Sequence, residues 1–385
     1  MKKLKDFKLE DKRVILRANF DVPFDEKGEI FDDFRIRKAL PTIKYLLEQQ
    51  ARVIIISHAG RPSEGTRLSL APVALRLSKL LDKKVKFIQD CVGRQVERAA
   101  KIMSPGDIIL LENVRFNSGE RSNNEVFAKK LAKLGEIYIN DAFSNCHRNH
   151  ASVVGIASHL PSGAGLLLEE EIKVLSSAVK NPKKPMVLIL GGAKIDTKIS
   201  CLLNFLKIAD HILIGGMFAP AILHAKGISL SGVPLKKEVG EIFETIELTN
   251  PKLHLPIDAL VGLRNHQLDY LRQAAVGQIR KEEQMFDIGP ESIRIFSHII
   301  EEANTIIWNG PLGYVEDERF AGSTLAIASS ILRTNAFSIV GGGDTNAFLA
   351  ANNLRSKFSY ISTGGGAMLD FLSNKELPGI KVLEK

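Results

Sequence analysis

Four glycine clusters each follow a short apolar or β-branched run: Gly191-Gly192, Gly215-Gly216, Gly341-Gly342-Gly343 and Gly364-Gly365-Gly366. Glycine at a strand's end permits a tight turn and close backbone approach to a ligand, and the free N–H groups of a following helix face phosphate. A lone pair of glycines is ordinarily only a turn. Four clusters at equivalent positions, all in the second half of the chain, favour a nucleotide site along the carboxyl edge of a sheet. The run Gly191-Gly192-Ala193-Lys194-Ile195-Asp196-Thr197-Lys198 adds two lysines four residues apart. At that spacing they are expected to share one face of a helix at its positive end, although such lysines are also common surface residues. Gly343-Asp344-Thr345 places a carboxylate and a hydroxyl beside backbone amides. Asp344 suits Mg²⁺ bridging nucleotide phosphates and Thr345 a phosphate contact, and both also suit a helix N-cap. No P-loop occurs, and no strand-linked GxGxxG with a later acid, so the phosphate binder belongs to neither of those classes.

The first half offers other tools. His58-Ala59-Gly60-Arg61-Pro62 follows one strand candidate, Glu112-Asn113-Val114-Arg115 a second and Asp141 to Arg148 a third, with Arg35 near the start of the first long helix. One arginine is usually a surface residue or an ion-pair partner. Several gathered after strands suit bidentate recognition of phosphate or carboxylate. Charge runs the same way: residues 1–180 hold 31 Lys+Arg against 23 Asp+Glu, and the remainder holds 21 of each. The whole net charge of +8 therefore lies in the half that carries these arginines. Such an excess attracts anions, whether a small metabolite or nucleic acid, and part of it is ordinary solvated surface.

To position such groups the chain needs strands whose ends meet. With 385 residues, 45% of them hydrophobic, it is globular, and long enough for two cores. Disorder, collagen and coiled coil are excluded. Cys91, Cys146 and Cys201 lack CxxC spacing and suggest neither a disulfide framework nor a zinc site. No signal-like N-terminus or membrane-length apolar run is present, so a cytoplasmic protein is expected. Strands are expected at Arg13–Arg17, Arg52–Ser57, Ile108–Leu111, Ile137–Ile139, Met186–Leu190, Ile212–Ile214, Thr305–Trp308 and Phe337–Val340. Helices are expected between them, among them Arg37–Gln49, Ala71–Leu81, Ile195–Leu206 and Asn346–Ala351. This alternation is that of an α/β protein with mainly parallel sheets. Prolines at 182 and 185 suggest a boundary after a connecting helix at Glu169–Lys180.

Read in order, Arg17-Ala18-Asn19-Phe20-Asp21-Val22-Pro23, Arg35-Ile36-Arg37, His58-Ala59-Gly60-Arg61-Pro62 and Leu111-Glu112-Asn113-Val114-Arg115-Phe116 fall in the first half. Gly191-Gly192-Ala193-Lys194, Trp308-Asn309-Gly310-Pro311, Gly341-Gly342-Gly343-Asp344 and Ser362-Thr363-Gly364-Gly365-Gly366-Ala367 follow in the second. Together, over nearly the whole chain, these motifs resemble the phosphoglycerate kinase family. The resemblance implies two doubly wound, mainly parallel-sheet α/β domains joined by a helical hinge. It divides the chain into a triose-phosphate domain (1–168), a hinge helix (169–182), a nucleotide domain (183–370) and a C-terminal segment (371–385) returning to the first domain. It implies reversible phosphoryl transfer from 1,3-bisphosphoglycerate to Mg-ADP, giving 3-phosphoglycerate and ATP, by a cytoplasmic monomer without nucleic-acid or membrane partners. Asn19, Phe20, Asp21, Arg35, His58, Ala59, Gly60, Arg61, Arg115 and Arg148 would then bind the triose phosphate. Lys198, Glu316, Gly341, Gly342, Gly343, Asp344 and Thr345 would bind nucleotide, Glu316 at the ribose and Asp344 at Mg²⁺. Arg35, Lys198, Lys194 and Gly365 would carry catalysis, with Arg35 and Lys198 flanking the transferring group from opposite domains and hinge closure excluding water.

Three departures from the family pattern stand out. Asn19 and Asp21 exchange the usual acid and amide, moving a negative charge by roughly 7 Å along an extended segment. Met217-Phe218 stands where the family has a third glycine and Met, which bears on purine affinity. Thr197 replaces the acid usually found before the second lysine, with Asp196 displaced by one residue. A catalytically weakened relative is one rival reading, and a nucleic-acid-binding protein another. Against the latter, aromatics are only 6% of the chain and acids interrupt the basic residues.

Overall fold

The computed structural model describes residues 1–60, 67–229, 235–263 and 270–384. Arg61, expected at the triose phosphate, lies outside them. The chain divides into two compact units, one of Met1–Val174 with Glu376–Lys385 and one of Leu175–Lys375. The division falls inside helix Leu166–Lys180, between Val174 and Leu175.

In the first unit, strands β1 (Arg13–Arg17), β2 (Arg52–Ile56), β3 (Lys86–Ile88), β4 (Ile108–Leu111), β5 (Ile137–Asn140) and β6 (Ser162–Ala164) form one parallel sheet in the order β3-β4-β2-β1-β5-β6. Their apolar runs are buried on both faces, as a parallel sheet covered by helices requires. Helix Phe34–Glu48 contributes Ile36, Ala39, Ile43 and Leu46 to the core, and helix Ala71–Leu81 contributes Val73, Ala74 and Leu77. The strand order reverses at β1, which pairs with β2 on one side and β5 on the other. That is where a doubly wound sheet opens a crevice at its carboxyl edge.

The second unit repeats the plan. Strands β7 (Met186–Leu190), β8 (His211–Ile214), β9 (Leu253–His254), β13 (Thr305–Asn309), β14 (Phe337–Gly341) and β15 (Tyr360–Ile361) form a parallel sheet in the order β15-β14-β13-β7-β8-β9. Its order reverses between β7 and β13, and the glycine clusters end β7, β8 and β14 and follow β15. The sequence reading has no counterpart for β10 (Asp258–Leu263), β11 (Leu271–Ala275) and β12 (Glu283–Ile288), which form a separate antiparallel sheet in the order β11-β10-β12. These strands mix charged with apolar residues, and β10 intersperses half-buried with buried residues, so they lack the continuous apolar runs that reveal a doubly covered strand.

Candidate active site

In the first unit, chain segments leaving β1, β2, β4 and β5 converge on His58. Arg17, the last residue of β1, is fully buried; its Nε donates to Ser152 Oγ at 2.9 Å, while Nη1 donates to the Ala18 carbonyl. Asn19 turns its amide toward Ser144 Oγ at 2.5 Å, and its Oδ1 accepts the Asp21 N–H at 3.1 Å. Phe20 is buried, its N–H donated to Ser57 Oγ at 2.9 Å, so this side chain braces the segment from inside the core. Ala59 is likewise fully buried. Gly60 takes a φ of +63°, and its N–H meets Asp21 Oδ1 at 2.8 Å. Its carbonyl accepts Arg115 Nη1 at 2.7 Å, while Asn113 steadies the same loop through Ala59 O and Leu68 O. Arg148 donates through Nε to His147 Nε2 at 3.2 Å, so His147 holds this arginine.

The result is a cation-rich pocket. Burial lowers the His58 pKa well below its ordinary value, and the charges of Arg17, Arg115, Arg148 and Arg35 push it further. Burial and neighbouring Arg148 bring Arg115 down to about 10. Clustered guanidinium groups that depress one another call for an anion, which would relieve the repulsion. The sequence reading missed Arg17 as a site residue. Its signal was a charged residue ending the apolar run Val14-Ile15-Leu16 at a strand's carboxyl end.

In the second unit, three loops lie backbone to backbone. Gly192 N–H reaches Pro311 O at 2.6 Å, Gly216 N–H reaches Leu312 O at 2.8 Å and Met217 N–H reaches Gly192 O at 3.2 Å. Side chains at 191, 216 or 310 would run into the facing backbone, and Gly216 and Gly310 also have φ of +56° and +97°. Glycine is therefore required here by close approach as well as by conformation. Helix Gly343–Ala351 and helix Gly365–Leu372 begin side by side: a Cβ at Gly365 would stand 3.6 Å from Gly342 Cα. Gly341 ends β14 and Gly342 caps the first of these helices. Two helix starts with free N–H groups suit phosphate.

The lysines differ from expectation. The helix begins at Ile199, not Ile195, so Lys194 and Lys198 share no helical face. Turns through 193–198, with Thr197 Oγ1 donating to Lys194 O at 3.0 Å, leave Lys194 exposed in a loop. Lys198 is buried beneath the glycines, its Nζ donated to the Gly191 carbonyl. Burial lowers its pKa to about 8, against the upward pull of Asp344 and with a further push from Lys194. Asp196 and Thr197 lie in the same turns, and Asp196 pairs with Lys236 at 2.5 Å. Thr345 is fully buried and its Oγ1 accepts the Gly310 N–H at 2.9 Å. It ties strand ends together instead of standing open to a phosphate. Asp344 is exposed in the first turn of its helix, where one carboxylate beside the free amides of a helix start fits a Mg²⁺–nucleotide complex. A cavity of about 280 Å³ opens next to it, lined among others by Met217, Phe286, Tyr314 and Glu316. Phe286 and Tyr314 were not foreseen, because β12 brings the first of them in.

Among the described residues no helix is long and apolar enough to cross a membrane. A family model described as "Phosphoglycerate kinase" matches residues 4–375. A protein named phosphoglycerate kinase from Pelotomaculum thermopropionicum is 42% identical over 388 residues, covering 99% of this chain and 98% of its own. One of the same name from Dictyoglomus turgidum is 44% identical with the same coverage. The solved structure of phosphoglycerate kinase from Coxiella burnetii aligns at a TM-score of 0.83 and 41% identity, over 100% of this chain and 98% of that one.

Proposed function

The chain belongs to the phosphoglycerate kinase family, glycolytic enzymes that transfer phosphate reversibly between 1,3-bisphosphoglycerate with ADP and 3-phosphoglycerate with ATP, and from that premise we propose which of its residues bind and align the reactants. The triose phosphate is held by Arg35, His58, Arg115 and Arg148, with Gly60, Asn19 and Asp21 along the same rim, and Arg61 is assigned to it by the sequence motif alone. Phe20 and Ala59 shape the pocket from beneath. Nucleotide is held by the amides of Gly342, Gly343 and Gly365, by Lys198 and by Glu316 at the ribose, with Lys194 adding positive potential. Asp344 is the carboxylate that holds Mg²⁺, which supplies compensation of phosphate charge when it enters with the nucleotide. A cytoplasmic monomer acting on small molecules is the form this reading takes.

Phosphoryl transfer asks for alignment and for positive charge where negative charge spreads. The attacking oxygen belongs to a carboxylate and carries no proton to remove, so no general base is needed. Arg35 serves the triose side by a planar fork suited to oxyanions, and Lys198 serves the nucleotide side as a point charge. The burial of Lys198 makes its ammonium more effective, because little water competes for it.

The observation that carries this reading is the convergence near His58 of Arg17, 3.0 Å away, and of Arg35, Arg115 and Arg148, whose charges all lower the His58 pKa. A coupled assay with 3-phosphoglycerate and Mg-ATP tests it, repeated with other nucleotides. Arg35→Ala and Lys198→Ala should each lower kcat by tenfold or more on the scale of about 1.4 kcal/mol per decade. Near-wild-type kcat in both variants refutes the assignment.

A further inference from the structure

One carboxylate sits among the cations of the first unit's pocket. Asp21 Oδ2 lies 4.0 Å from Arg35 Nη1 and 3.8 Å from His58 Nε2. Its backbone is fixed, since its N–H is donated to Asn19 Oδ1 at 3.1 Å and its carbonyl accepts Arg35 Nη1. Its Oδ1 accepts the Gly60 N–H at 2.8 Å. The side chain is only part-buried, with 38% of its surface open. Oδ1 thus performs the structural task, and an amide oxygen would perform it equally well. Oδ2 faces two groups that the substrate needs, at distances too long for hydrogen bonds; Arg35, being charged, is close enough for Coulombic attraction, whereas neutral His58 presents only its Nε2–H.

We propose that the Asp21 carboxylate is a resident counter-anion of the triose-phosphate pocket, which neutralises Arg35 in the empty site and competes with the anionic substrate for it. The proposal rests on the assignment of Arg35 and His58 to the triose phosphate. A fixed negative charge about 4 Å from the arginine lowers the affinity of every anion that must share that arginine. It also holds the guanidinium in place when nothing is bound, through the carbonyl and carboxylate of one residue. Asn19 shows the contrast: it is an amide, and it is turned to Ser144. Position 21 is therefore where affinity is set, and the acid there trades tight binding for an oriented arginine and easier release.

The test is calorimetric titration of the nucleotide-free protein with 3-phosphoglycerate, and separately with sulfate as a simple anion. Asp21→Asn keeps an Oδ1 for Gly60 and offers an Nδ2–H to the ligand. It should tighten 3-phosphoglycerate by about five- to tenfold at low salt, and the gain should shrink near ~0.5 M salt as screening grows. Sulfate should tighten too, and KM for 3-phosphoglycerate should fall. Asp21→Ala, which also gives up the Gly60 contact, should still bind more tightly than the wild type. In an Arg35→Ala background the gain from Asp21→Asn should be largely lost. If Arg35→Ala leaves 3-phosphoglycerate binding unchanged, the assignment of the pocket fails. If Arg35→Ala weakens binding while Asp21→Asn and Asp21→Ala leave it equal or weaker, the assignment stands and the counter-anion is refuted.

Discussion

Arg17 Nη2 stands 3.0 Å from His58 Nδ1, and both side chains are buried. A guanidinium has donors only, so Nδ1 must accept, and the ring proton of His58 is confined to Nε2, the nitrogen facing the pocket. With its pKa held well below the ordinary value by burial and four arginines, the ring stays neutral and offers one directed N–H to an anion. Nitrogen NMR of isotope-labelled histidine should show one His58 signal set with protonated Nε2 and bare Nδ1, unchanged down to pH 6. A His58 that titrates near its ordinary value, or a mixture of tautomers, overturns this.

Arg17 also ends a buried chain of charges. Its Nε donates to Ser152 Oγ, and Ser152 in turn donates through Oγ and N–H to the two oxygens of fully buried Glu120, at 2.6 and 2.9 Å. Removing the cation leaves the buried Glu120 with only its Ser152 hydrogen bonds and the charge of Arg115 to compensate it. Arg17→Met should therefore cost roughly 3 kcal/mol or more in chemical denaturation. Glu120→Gln in the same background should recover part of that loss, because the two sites are coupled. Additive losses would show that the chain does not act as a unit.

How much of this was legible in the sequence depends on distance along the chain. Runs such as Met186–Leu190 and Ile108–Leu111 are apolar throughout because both faces are covered, and they read directly as strands of a parallel sheet. The glycine clusters read correctly as strand ends, since only backbone crowding demands so many. Lys194 and Lys198 misled, because a spacing of four arises in turns as readily as in a helix, and Thr197 supplies a side-chain bond that holds the turn. The burial of Lys198 and the nearness of Asp21 to His58 are tertiary facts. They depend on loops from different strands meeting, and local pattern carries no record of that. The antiparallel sheet was hidden for the opposite reason: its strands pair locally but mix charge into their alternation.

Lys198 predicts a pH limb. Burial lowers its pKa to about 8, so in the free enzyme the ammonium is lost as pH rises through that value, and kcat/KM for ATP should fall there. Bound phosphates favour the charged form, so the limb in kcat should appear at higher pH. In Lys198→Arg the limb should vanish, since the guanidinium stays charged, whatever the loss in rate. For stability the sign is the reverse of that for a paired lysine. The unfolded chain binds the proton more tightly between about 8 and the ordinary lysine value, so folding gains stability as pH rises through that window. A flat kcat/KM profile from pH 7 to 9.5 would count against the buried ammonium.

Asp141 predicts a second pH dependence, in the first unit. Its Oδ1 accepts the N–H groups of Leu167 and Leu168 at 2.9 and 3.2 Å, capping the start of helix Leu166–Lys180 from a distance. Burial nevertheless pushes its pKa up to about 7, outweighing the hydrogen bonds that pull it down. The folded state therefore holds this proton more tightly than the unfolded chain, and stability falls as pH rises from about 4 to about 7. Asp141→Asn keeps an acceptor for both amides and removes the charge. It should flatten that part of the stability profile and gain on the wild type above neutrality, by an amount on the order of 1 kcal/mol or more. Parallel profiles of the two proteins in denaturant titrations from pH 4 to 8 would refute the mechanism.

Met217 tests how the proposed nucleotide cavity is walled. Its side chain is 37% exposed and lines the cavity with Phe286, Tyr314 and Glu316, while the next residue, Phe218, is fully buried. A flexible thioether on the cavity wall adapts to a flat apolar ligand face, so it is expected to add to binding and not to obstruct it. Met217→Ala should weaken ATP by about three- to tenfold, on a scale of ~0.8 kcal/mol per buried methylene, with KM rising and kcat little changed. Gly216→Ala is the contrasting variant. A Cβ there would meet Gly192 N across the loop contact, at a φ of +56°, so it should reduce nucleotide binding and lower Tm together. If Met217→Ala instead binds ATP more tightly, the side chain is an obstruction, and the approach of the backbone at this position governs affinity.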